Sequence, residues 1–106
     1  MMGKIKFEVP HSLGRSEAKT RVEMLIDSWR QKHGVSGNWT EDTATFAGKV
    51  LGISIDARLD VKDDKIEGEA SDPGFLFREP ARKYLTQKFT AYLDSSKSLS
   101  SLKNLT

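Results

Sequence analysis

The sequence predicts an α+β fold: a curved five-stranded antiparallel sheet in spatial order 2-3-4-5-1, with two helices packed on one face. Three observations lead there. Five short segments alternate apolar with polar residues, the signature of strands buried on one side only. Two longer segments repeat apolar residues at three- and four-residue steps, as an amphipathic helix does. Their order is β-α-β-β-β-β-α, and the last four strands are joined by connections too short for a parallel crossover.

The first strand is "KIKFEVP", with Ile5, Phe7 and Val9 set against Lys4, Lys6 and Glu8, and it stops at Pro10, which cannot donate to a ladder. From Ser16 the period changes. Ala18, Val22, Leu25, Ile26 and Trp29 stack along one face of a helix. Glu17 suits its positive N-terminal end, Lys32 and His33 its negative end, and Gly34 the left-handed residue that terminates it.

Four strands follow. "SGNWTED" presents Trp39 and turns at Glu41 and Asp42; "TATFAG" points Ala44, Phe46 and Gly48 inward. "ISIDARLDV" is the clearest strand, with Ile53, Ile55, Ala57, Leu59 and Val61 on one side. "KDDK" supplies the next turn, and "KIEGEAS" points Ile66, Gly68 and Ala70 inward. The inward glycines 48 and 68 let the sheet curl around its helices. "DPG" breaks the sheet, and a second helix is expected from Glu79 or Pro80 to Asp94, with Pro80 in its first turn. The domain is therefore read as residues 1–95, followed by a disordered Ser-rich tail, "SKSLSSLKNLT", at 96–106.

Composition narrows the function classes. The chain has 106 residues, 37% hydrophobic and 30% charged, with no cysteine, so thiolate chemistry and disulfides are excluded. Residues 1–34 carry seven bases and four acids, 35–72 four and nine, and 73–106 six and two. An acidic middle between basic flanks favours attraction within the chain over a field that holds a polyanion. No segment approaches the roughly 20 apolar residues of a membrane span or the apolar run of a signal peptide. The expected location is cytoplasmic.

The strand order resembles the helix-grip fold and one half of the TATA-binding-protein saddle, and topology alone assigns neither function. A second resemblance covers roughly residues 4–95. "HSLGRSEAKTRVE" at 11–23, "NWTEDTATF" at 38–46, "VLGISIDARLDVKDDKIEGEA" at 50–70 and the apolar "FLF" leading into a charged helix are similar to the polyhydroxyalkanoic acid system (granule-region) proteins of bacteria. That resemblance implies encoding near genes for making, using or coating polyester storage granules. It carries no catalytic residues.

Candidate sites are few. His11, at the end of the first strand, has the chemistry of a general base or ligand, but no carboxylate or nucleophile beside it completes a catalytic set. The reading of the residues is a bend in which the imidazole bonds backbone while Leu13 plugs the core. Trp39, Phe46 and Phe89 are placed to line a cavity for a small apolar ligand, the expectation for a helix-grip carrier or enzyme of acyl compounds. Phe75, Leu76 and Phe77 offer an apolar contact for a granule surface, among Arg78, Arg82, Lys83 and Lys88. The open sheet face is expected to carry Lys4, Lys6, Lys49, Arg58 and Lys62 against Glu8, Asp56, Asp60, Glu67 and Glu69, without aromatics, which argues against nucleic acid. The outer strands could pair with a second copy into a homodimer. No phosphate loop, metal motif or cofactor motif is present in the sequence. The expected role is non-enzymatic: an accessory protein of polyhydroxyalkanoate storage, with no cofactor and no metal, acting on granules or their proteins.

Overall fold

The structure, a computed structural model, describes residues 4–50, 52–71 and 74–103. The elements are β1 (Lys4–Pro10), α1 (Arg15–His33), β2 (Ser36–Thr40), β3 (Thr43–Val50), β4 (Ile53–Val61), β5 (Lys65–Ser71), α2 (Phe75–Tyr92) and α3 (Leu99–Lys103). The sheet runs β1-β5-β4-β3-β2 with every pair antiparallel. That is the order expected from the sequence.

Alternation is what makes the sheet one-sided. Along β1, Ile5, Phe7 and Val9 are buried while Lys4, Lys6 and Glu8 face water. The same rule sends Ala44 and Phe46 of β3, Ile55, Ala57, Leu59 and Val61 of β4, and Ile66 and Ala70 of β5 into one core with Val22, Leu25, Ile26 and Trp29 of α1 and Leu85 and Phe89 of α2. Both helices therefore cover the same face. α1 lies over β2, β3 and β4, and α2 over β1.

Two inward glycines are sites of close approach. Phe7 stands opposite Gly68 in the β1–β5 ladder, and its ring occupies the space a side chain there would need. Val35 does the same over Gly48. At the end of α1, Gly34 has φ 68°, and its N–H donates to Arg30 C=O at 3.1 Å, so the expected left-handed terminus is in place.

Two expectations need correction. α2 begins at Phe75, not at Glu79 or Pro80, and ends at Tyr92; Pro80 sits inside it. The first turn forms ahead of the proline because Gly74, at φ 107°, takes the N-cap position and its C=O accepts the Phe77 N–H at 2.9 Å. Pro80 has no N–H to return to the Leu76 C=O, so this turn is joined to the rest of the helix by one bond fewer.

The Ser-rich tail is not a loose end through residue 103. Leu102 of α3 is fully buried in the core. Ser98 Oγ accepts the Ser101 N–H at 3.2 Å and caps the short helix. The anchor is Arg21 of α1, only 5% exposed. Its guanidinium donates to the carbonyls of Tyr92 (3.3 Å), Asp94 (2.8 Å) and Lys97 (2.8 Å), while its Nε donates to Glu17 at 2.9 Å.

Candidate functional site

The β1–α1 bend is built around His11. Its Nε2 lies 3.0 Å from the Lys62 carbonyl and its Nδ1 accepts the Leu13 N–H at 3.2 Å. With the proton on Nε2 both bonds form at once. The His11 N–H also donates to Asp64 C=O at 2.9 Å. The imidazole thus ties the bend to the β4–β5 turn, and both ring nitrogens are occupied by backbone. Arg15 extends the tie through Asp42 (3.1 Å) and Asp63 (3.2 Å). Among the described residues no group of three or more His, Asp or Glu lies close enough to hold a metal ion.

The open face of the sheet is a mosaic of both charges. Lys4 pairs with Glu69 at 3.3 Å, Lys62 with Glu67 at 2.5 Å, and Lys65 with Glu8 at 3.3 Å. Lys65 joins the residues expected on this face. The hydrogen bond it donates to Glu8 holds the Lys65 ammonium pKa above its ordinary value, and the hydrogen bond accepted from Lys62 holds the Glu67 carboxyl below its own. No aromatic ring stands on this face among the described residues. It lacks both the basic field and the stacking platform of a nucleic-acid surface.

The three aromatics expected to share a cavity are divided. Phe46 and Phe89 are buried, with ring centroids 6.3 Å apart. Trp29 packs against both, at 5.5 and 5.8 Å, and Phe7 stacks on Phe89 at 5.8 Å. The rings fill the space between them. The Trp29 indole also donates to the Tyr84 hydroxyl at 3.1 Å, and burial pushes the Tyr84 phenol pKa up. Trp39 stands apart, in an open groove of ≈ 630 Å³ lined by Lys19, Glu23, Met24 and Asp27 of α1. Its indole donates to Glu23, and Lys19 lies 5.2 Å above the ring.

The apolar turn of α2 is the feature most out of keeping with a water-facing surface. Leu76 is 71% exposed and Phe77 50% exposed, side by side in the first turn. The Phe75 side chain lies outside the described residues. Arg82 is fixed to Glu79 at 2.6 Å, and Lys83 is exposed on the same helix. No helix among the described residues is long and apolar enough to cross a membrane.

Arg21 is the structural anchor that the pattern of the sequence hides. It occupies the apolar stripe between Ala18 and Leu25, where a base is out of place. That misplacement is the signal: a buried guanidinium needs acceptors, and they lie in the C-terminal segment.

A family model described as "putative polyhydroxyalkanoic acid system protein" matches residues 5–96. The chain belongs to this family. The family match begins in β1, takes in the sheet and both long helices, and ends before α3. Among curated proteins and among solved structures, nothing matches this chain.

Proposed function

We propose that this protein is a non-enzymatic accessory of the bacterial polyhydroxyalkanoate storage system that docks on the granule surface through the first turn of α2. The observation that carries the reading is the adjacent exposure of Leu76 (71%) and Phe77 (50%) in a chain of the polyhydroxyalkanoic acid system family. Removing that apolar surface from water favours contact with a polyester by roughly 25 cal/mol per Å². Arg78, Lys83 and Lys88 on the same helix suit the rim of an interfacial contact, where apolar residues enter and bases stay at the boundary. His11 and the cluster of Trp29, Phe46 and Phe89 serve the fold in this reading.

The test is a fluorescent fusion in polymer-accumulating cells. The fusion gathers on granules, and the Leu76→Asp/Phe77→Asp variant is diffuse. A wild-type fusion that stays diffuse, in cells whose granule size and number do not change on deletion of the gene, contradicts the reading.

A further inference from the structure

β1 forms one edge of the sheet. His11 N–H donates to Asp64 C=O, flanking the opposed residues Pro10 and Lys65. In an antiparallel ladder such a bond marks the flanked pair as one that exchanges no backbone bonds itself. Alternation then turns the backbone groups of Val9, Phe7 and Ile5 toward β5, and those of Pro10, Glu8, Lys6 and Lys4 outward.

We propose that the chain forms a two-fold symmetric dimer in which β1 pairs antiparallel with β1 of a second copy, centred on Phe7. About that centre "KIKFEVP" is complementary to itself. Lys6 meets Glu8 of the partner subunit, and the two exchange both N–H···O=C bonds on each side of the axis. Lys4 N–H meets the C=O of Pro10 of the partner subunit, where the missing proline N–H costs a single bond. On the helix-covered side Ile5 faces Val9 of the partner subunit, so apolar residues meet apolar ones.

Charge selects the register. Sliding the second copy by two residues either way, the nearest alternatives that keep the outward groups bonded, sets Lys6 on Lys6 with Lys4 on Glu8 beside it, or Glu8 on Glu8 with Lys6 on Pro10. Each places on the axis a like-charged pair that the Phe7 register lacks. Like charges directly opposite are destabilising. Edge strands commonly carry charge that repels a second chain, but here both signs occur, in the order that attracts about Phe7. Lys6 makes no ion pair among the described residues, so its ammonium is free for the partner. The opposite edge is less suited: β2 has five residues, and Arg30 already lies 3.5 Å from its Gly37 carbonyl. The result is an isologous interface, the commonest closed assembly, within a continuous two-subunit sheet.

Sedimentation equilibrium of the full chain tests this. Wild type should show about twice the 11.9 kDa chain mass. Lys6→Glu should weaken the dimer about tenfold or more, and Lys6→Glu/Glu8→Lys, which restores opposite charges across the axis, should recover most of it. Lys6→Pro deletes an outward N–H that no bond within the chain uses, and should give a monomer with an unchanged far-ultraviolet circular dichroism spectrum. A wild type that stays at 11.9 kDa up to several hundred micromolar overturns the proposal, as does a dimer that neither Lys6→Glu nor Lys6→Pro weakens.

Discussion

Phe7 and Gly68 share one space. They face each other across the β1–β5 ladder, and a Cβ built on Gly68 would lie 2.3 Å from Phe7 Cζ. The ring cannot yield easily, because its other face stacks on Phe89. Gly68→Ala should therefore destabilise the fold by about 1–3 kcal/mol through overpacking. The double variant Gly68→Ala/Phe7→Leu should be less destabilised than the two single changes added together. Urea denaturation of the four proteins checks this, and simple additivity would contradict the contact.

Arg21 holds the C-terminal segment. Arg21→Ala removes the guanidinium from three carbonyls that would then face a gap, at a cost of about 3 kcal/mol. Arg21→Lys should recover only part of this, since one ammonium cannot reproduce the planar fork that reaches Asp94 and Lys97 together. Leu102→Ala should cost about 2–5 kcal/mol. Thermal unfolding reads all three, and a midpoint unmoved by Leu102→Ala would show that α3 does not pack as described.

The turn after α2 should loosen in acid. Asp94 accepts from the Ser96 hydroxyl (2.6 Å) and the Ser96 N–H (2.9 Å), and these bonds hold its carboxyl pKa below the ordinary 3.8. A group depressed in the folded state stabilises it above the unfolded value and loses that contribution as pH falls through the folded one. Protection of the Ser96 amide from exchange, relative to its intrinsic rate at each pH, should fall below pH 3.8, and Asp94→Asn should remove that fall. A carboxyl that titrates at or above 3.8 by nuclear magnetic resonance would contradict it.

Much of this architecture was legible in the residues, and its errors share a cause. Alternation in "KIKFEVP" and "ISIDARLDV", with short turns between strands, determines which side is greasy and which strands are neighbours. It does not report contacts between distant segments. The serines of the tail look solvated, yet Ser98 caps a helix whose Leu102 reaches the core, and only Arg21, 76 positions from Lys97, explains why the tail returns. Pro80 resembles a first-turn proline because the usual helix rule places it there, whereas Gly74 starts the turn earlier. Among the candidate sites, the bend at His11 was readable from its local composition. The division of Trp39 from Phe46 and Phe89 was not, because spacing along strands does not show which rings fill the same volume.

Exposed apolar side chains that serve contact with another surface contribute little to the fold. Leu76→Ser/Phe77→Ser should leave the thermal midpoint within about 4 °C of wild type, the shift that ~0.5–1 kcal/mol produces in a domain of this size. A large drop would mean that these residues are needed by the core.

The most direct measurement is co-sedimentation of the purified chain with washed polyhydroxyalkanoate particles free of other proteins. Wild type should partition to the polymer, and Leu76→Ser/Phe77→Ser should remain in solution while still folded. Equal partition of the two proteins, or none by wild type, would contradict docking through the first turn of α2.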